Sequence, residues 1–138
     1  MANVYTSFLS LLADVLMAAG RLDESLAAAD EAVRRTERQN AFWWMPEALR
    51  IKGNVLLLSD REDGVPAENL FRRSLDLAHK QGALSWELRT AASLARLWRD
   101  RGRRHEAREL LASVYGRFSE GFQTTDVTAA RRLLNELI

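Results

Sequence analysis

Chemistry needs particular side chains at particular spacings, and this chain of 138 residues offers few such sets. Its two histidines, His79 and His105, stand apart with no second ligand at metal-binding spacing, so surface or capping roles are expected of them. No serine–histidine–aspartate or cysteine–histidine arrangement is suggested. There is no Gly-x-x-x-x-Gly-Lys-Ser/Thr loop to cradle a phosphate. The carboxylate pairs Asp23-Glu24 and Glu62-Asp63 fall in turns, where capping is their ordinary use, and Asp23 is expected to cap the helix after it. No catalytic residue, cofactor or metal is expected. The residues with chemistry left to offer are arginines. Arg50, Arg89, Arg96 and Arg99, with Asn54, would form a polar groove if the fold put them on one surface, and a guanidinium presents a planar fork that matches a carboxylate.

Those residues lie on stretches with helical periodicity. Between 83 and 115, Ala91, Leu94, Ala95 and Trp98 repeat at i, i+3, i+4 and i+7, and Ala107, Leu111 and Val114 at i, i+4 and i+7. Gly102 between them can take a positive φ and stop the first helix. Leu9, Leu12, Ala13 and Leu16 stripe an earlier helix, followed by Gly20 and then Ser25, Ala29 and Ala32. Leu49, Lys52, Gly53 and Leu56, followed by Ala67, Phe71 and Ser74, make a third such pair. Gly53 inside a helix costs up to about 1 kcal/mol against alanine, which a close crossing of two backbones would explain.

The three pairs are in register. Leu9, Leu49 and Ala91 are 40 and 42 apart; Ser25, Ala67 and Ala107 are 42 and 40 apart. The difference sits in the second turn, which is two residues longer. A period near 41 with its insertion confined to a turn predicts stacked helical hairpins, because one hairpin cannot bury its own apolar face. Thr124-Thr-Asp offers a cap for a seventh helix carrying Ala130, Leu133, Leu134 and Leu137 on one stripe. The expected architecture is all-α: an α-solenoid in one domain over 1–138, with repeats at about 3–39, 44–81 and 83–119 and a capping helix at about 126–137.

That architecture places the arginines. The first helices of stacked hairpins line the inner surface, and positions one and five residues after Leu9, Leu49 and Ala91 point there: Ser10 and Asp14, Arg50 and Asn54, Ala92 and Arg96. Arg89 and Arg99 flank the last pair. The groove reading stands against one in which the arginines are solvated or internally paired. The same two readings apply to Trp43, Trp44 and Trp86: a hydrophobic staple with inter-repeat core, or an exposed anchor for a partner. Trp98 lies on a core stripe. Arg99, Arg101, Arg103 and Arg104 cluster at a turn tip without interleaved aromatics, a weak match to nucleic-acid binding. At the other end, Val4, Phe8, Leu11, Leu12 and Val15 spread apolar character round the first helix, so it should be covered on more than one side; Val4, Phe8, Leu11 and Val15 are the candidates for packing against a second copy.

Composition agrees. The net charge is +1, with residues 1–82 at −2 (10 basic, 12 acidic) and 83–138 at +3 (10 basic, 7 acidic), so no field points to nucleic acid or an anionic membrane. Twenty alanines favour closely packed helices. The lack of cysteine fits a reducing compartment, and a cytoplasmic location is expected. No apolar run approaches the length of about 18 residues that spans a membrane, and no basic stretch precedes the first apolar run as in a signal peptide.

The hairpins resemble tetratricopeptide repeats in a longer form. The resemblance rests on the stripes Leu9-Leu12-Ala13-Leu16 and Ala91-Leu94-Ala95-Trp98, the turn glycines Gly20 and Gly102, and Ala67-Phe71-Ser74. Lys52 departs from the pattern at a leucine position, and the terminal proline is absent. A narrower likeness covers residues 42–53, 81–89, 94–103 and 120–126. These are similar to the C-terminal repeat region of bacterial proteins that carry a class III adenylate/guanylate cyclase or DNA-binding domain and an AAA-type ATPase domain. The resemblance implies a non-catalytic module that binds a protein or peptide in a signalling protein, any cyclase or ATPase activity lying in a domain outside these residues. Self-association through the first helix is the alternative.

Overall fold

The computed structural model describes residues 2–39, 42–59, 63–121 and 124–138; of residues 2–4 and 6 only the backbone is described. The chain runs α1 (Ala2–Ala18), α2 (Leu22–Arg38), a 3-10 turn (Phe42–Trp44), α3 (Met45–Ser59), α4 (Val65–Gln81), α5 (Leu84–Asp100), α6 (Arg104–Tyr115) and α7 (Thr125–Leu137). Among the described residues there is no strand. The expected all-α array of hairpins is therefore observed: α1/α2, α3/α4 and α5/α6, with α7 packed on α5 and α6. Each hairpin's second helix packs on the next first helix, and α1, α3, α5 and α7 touch in series, forming one continuous row.

Local sequence explains the breaks. Gly102 has φ 80°, the left-handed conformation that only glycine adopts without strain, and the Arg103 N–H then returns to the Trp98 carbonyl at 2.7 Å. Thr124 caps α7, its side chain accepting the Val127 N–H at 3.4 Å. Asp63 accepts the Val65 N–H at 3.1 Å where α4 begins; its neighbour Glu62 lies outside the described residues. Asp23 does not cap α2. That helix begins one residue earlier, at Leu22, so Asp23 falls inside the first turn, where its charge faces the positive end of the helix dipole. Glu24 pairs instead with Arg21 at 2.6 Å.

Small inner residues let the helices approach. Ala13, Ser25, Ala29 and Ala32 in the first hairpin are buried, as are Ala48, Ala67 and Ser74 in the second and Ala91, Ala95 and Ala107 in the third. Serine hydroxyls tie second helices to first helices: Ser25 donates to the Ala13 carbonyl at 2.5 Å and Ser74 to the Pro46 carbonyl at 2.8 Å. Ser74 and Thr90 also share a hydrogen bond of 2.8 Å, which links the second hairpin to the third and leaves neither hydroxyl unsatisfied. Lys52 takes a leucine's place with its charge paired, because its ammonium reaches Asp30 of α2 at 2.9 Å.

The reason for Gly53 differs from the one expected. It admits a side chain, not a crossing backbone: a Cβ at this position would lie 2.6 Å from Cε1 of Phe71. Phe71 is fully buried, so its ring has nowhere to retreat. Alanine should gain about 1 kcal/mol in helix propensity, but the overlap outweighs that gain. Gly53→Ala is expected to cost a net 1–2 kcal/mol, roughly, by urea denaturation, and Phe71→Leu in the same chain should recover part of the loss. A Gly53→Ala protein as stable as the parent would refute the tight fit.

Candidate functional site

The row of first helices leaves a cleft of about 800 Å³, a size that suits a ligand or a peptide segment. Its walls are Met17 at the end of α1, Asn54, Leu57 and Leu58 of α3, and Ser93, Arg96, Leu97, Asp100 and Arg101 of α5. Helical spacing explains the grouping. Asn54, Leu57 and Leu58 lie at i, i+3 and i+4, as do Ser93, Arg96 and Leu97, so each helix turns one continuous strip towards the cleft. Asn54 donates to the Ser93 hydroxyl at 3.3 Å, joining the two walls. The α1 and α3 side gives Met17, Leu57 and Leu58 beside Asn54, and the α5 side gives Arg96 and Arg101 beside Ser93, Leu97 and the carboxylate of Asp100.

Of the five residues expected to share a groove, the structure brings Asn54 and Arg96 together there. Arg50 donates to Glu47 at 2.7 Å. Arg89 donates to Glu47 at 2.5 Å and to Asp126 at 2.7 Å, a chain of charges running from α3 through α5 to α7. Arg99 pairs with Asp100 at 3.1 Å and Glu136 at 2.9 Å. These three arginines are internally paired, because carboxylates from a neighbouring turn or helix reach them in space. Ser10 and Ala92 are buried too, Ser10 accepting the Trp44 indole N–H at 2.9 Å, and Asp14 is exposed but does not line the cleft. Ser10, Arg50 and Ala92, one residue after Leu9, Leu49 and Ala91, therefore do not line the cleft, while Asn54 and Arg96, five residues after Leu49 and Ala91, do.

Arg96 is the exception among the candidate cations. It forms no hydrogen bond or ion pair with any described residue, and its side chain is open to solvent. Even so, burial by the surrounding walls, with Arg99 and Arg50 adding repulsion against the opposing pull of Glu136, holds its pKa below the usual arginine range. Solvent access and crowding coexist because the side chain stands in an open concavity. A guanidinium so placed stays charged and has no ion-pair partner among the described residues, so an incoming anion would meet a site already arranged for it.

Other candidates have structural explanations. Arg103 stacks 4.5 Å over Trp98 and pairs with Glu68 at 3.0 Å and Glu106 at 2.7 Å; Arg104 donates to the Glu136 carbonyl. The turn-tip cluster is thus engaged within the fold, and Arg101 alone of it lines the cleft. Trp43, Trp44 and Trp86 form one three-ring cluster, Trp43 stacked on Trp86 at 6.0 Å and Trp44 edge-on to both at 5.2 Å. This joins the second and third hairpins, although Trp43 keeps an exposed face. His105 pairs with Glu109 at 3.0 Å and His79 lies 3.4 Å from Glu87, both on the surface. Among the described residues no group of three or more His, Cys, Asp or Glu is arranged to hold a metal, and no helix is long and apolar enough to cross a membrane. Phe8, Leu11 and Val15 of the first helix are exposed, while the Val4 side chain lies outside the described residues.

Sequence reasoning missed the apolar wall of Met17, Leu57, Leu58 and Leu97. The signal was present: Leu57 and Leu58 follow Asn54 at i+3 and i+4, and extending the strip along the helix would have found them.

Residues 7–38 and 88–115 match the family profile described as the tetratricopeptide repeat. The two segments fall on the first and third hairpins, and they support a tetratricopeptide-repeat array. The second hairpin, with Lys52 and the longer turn, lies outside the match yet folds on the same plan. No curated protein and no solved structure matches the chain.

Proposed function

We propose that this chain is a non-catalytic protein-interaction module whose cleft between α1, α3 and α5 holds a peptide segment carrying a carboxylate beside apolar side chains. The observation that carries this reading is Arg96, a charged group with no partner among the described residues, facing a cleft whose opposite wall is Met17, Leu57 and Leu58. An anion there would supply the counter-charge the fold does not, while the apolar wall takes a hydrophobic neighbour. Repeat arrays of this kind present an extended inner surface suited to such binding. The likeness of residues 42–53, 81–89, 94–103 and 120–126 to the repeat end of bacterial cyclase- and ATPase-linked regulators supports a role as the regulatory part of a cytoplasmic signalling protein.

The test is a display library of acidic, leucine-containing peptides, with affinities of selected peptides read by fluorescence anisotropy. Arg96→Glu is expected to weaken binding by about tenfold or more, through lost attraction and added repulsion. Arg50→Glu is unsuitable for this test, since it would set a second carboxylate beside Glu47 and disturb the fold. Selected peptides that bind the Arg96→Glu protein as tightly as the parent would remove the cleft from the account.

A further inference from the structure

The cleft is not electrically uniform along its length. Met17, Leu57, Leu58, Leu97 and Asp100 fall in the last turns of α1, α3 and α5, so these three helices run parallel and end together at one mouth of the cleft. Each helix brings the negative end of its dipole there, an arrangement that favours a cation. Asp100 adds a carboxylate at the same mouth. One turn back along α5, Arg96 presents the opposite charge.

These two charges do not neutralise each other. Arg96 and Asp100 share one strip of α5, and the Cβ atoms of such i, i+4 neighbours are about 6 Å apart. Arg96 nevertheless has no ion pair with any described residue, and Asp100 pairs with Arg99. On a helix the favourable order puts the carboxylate before the cation, and here the order is reversed. Asp100 accepts from the Arg99 Nε through Oδ1 at 3.1 Å, Oδ2 accepts from no described residue, and the side chain is 65% exposed. Arg99 itself is drawn to Glu136 of α7 at 2.9 Å. The Arg101 guanidinium is turned to the start of α4, where a Cβ on Gly64 would lie 3.2 Å from its Nη2. The strip therefore holds one positive and one negative group at a fixed spacing, with Met17, Leu57 and Leu58 on the α1 and α3 side.

We infer that Asp100 is a specificity-determining residue of the cleft, and that the segment it selects carries a basic side chain about one helical turn from its acidic one. Such a segment would pair with both ends of the strip at once, its acid on Arg96 and its base between Asp100 and the three helix ends. The spacing of about 6 Å corresponds to roughly two residues of an extended segment, or three to four of a helix. An apolar side chain beside the charges would meet Leu57 and Leu58. A segment carrying acids alone would set one of them against Asp100 and the helix ends, so the same mouth rejects polyacidic segments. The inference rests on the cleft being a peptide site, and it adds the sign, order and spacing of the charges that the site reads.

A display library with no charge bias, selected in parallel on the parent and on Asp100→Lys, tests it. Peptides from the parent are expected to carry an acid and a base at a constant spacing, and peptides from Asp100→Lys to keep the acid and lose the base. By fluorescence anisotropy, Asp100→Lys should weaken a parent-selected peptide by about tenfold, and by little once the base in that peptide is replaced by glutamine. Asp100→Asn removes the charge without adding one and should give a smaller loss. Because the Asp100 side chain is exposed and its pair with Arg99 is screened, helical circular dichroism and the urea midpoint should not change in either variant. Acidic peptides selected without a base at constant spacing, or parent-selected peptides that bind Asp100→Lys as tightly as the parent, would overturn the inference while leaving the peptide site in place. Peptides that are also insensitive to Arg96→Glu would remove both.

Discussion

Phe71→Ala is expected to lower the stability of this protein by about 3–5 kcal/mol, a large part of the 5–15 kcal/mol, roughly, that holds a domain folded. Phe71 is the largest side chain in the fully buried core. It reaches the space that Gly53 leaves in α3, and it belongs to the apolar cluster that continues through Ala67, Leu88, Ala91 and Leu94 into the third hairpin. Removing the ring thus opens a cavity where two hairpins meet, and backbone collapse is restricted by helices packed on both sides. Urea denaturation should show a lower midpoint with an unchanged slope. A loss below about 1 kcal/mol would mean that the space is refilled by repacking.

Trp98→Ala should cost a similar amount, about 3–5 kcal/mol, for a different reason. The indole is buried, but it is also the hub of a polar junction between α4, α5 and α6. Its N–H donates to Glu68 at 2.8 Å, and Arg103 and Arg72 lie over the ring at 4.5 and 5.3 Å. Trp98→Phe separates the two contributions: it keeps most of the packing and loses the hydrogen bond, for about 1.5 kcal/mol. The two replacements also differ from the parent in acid. Burial pushes the Glu68 carboxyl up, but the indole hydrogen bond and the cations Arg72 and Arg103 outweigh it and hold its pKa below the usual glutamate value. A carboxyl depressed in the folded state contributes stability above its unfolded pKa of about 4.3, and that contribution disappears as pH falls through the folded value. The melting temperature of the parent should therefore drop below about pH 4 more steeply than that of Trp98→Phe. Equal slopes would show that the indole hydrogen bond does not set the carboxyl's acidity.

The arginines show where linear reading stops. Position along a helix placed Arg50, Arg89, Arg96 and Arg99 near one surface, and each does lie on a first helix. Whether a given cation is available depends on carboxylates brought in by other elements. Glu47 takes Arg50 and Arg89 together, Asp126 of α7 takes Arg89, and Glu136 of α7 takes Arg99. Asp126 and Glu136 stand 37 residues from their partners, so no local pattern could assign them. The Gly53 site follows the same logic: the cost of a helical glycine is visible in sequence, but the ring that requires it sits 18 positions away on another helix.

What the sequence determined by itself was the architecture: helices from apolar spacing, hairpins from turn glycines, and the stack from a recurrence near 41 residues. Those features are short-range or periodic, so each copy repeats the same statement and the errors average out. Tertiary structure alone decided which of the arginines named from sequence is left without a partner among the described residues: Arg96 in the cleft, while Arg50, Arg89 and Arg99 are paired. Pairing and burial are properties of what arrives from elsewhere in the chain, and a residue's neighbours in space are chosen only when the hairpins close on one another.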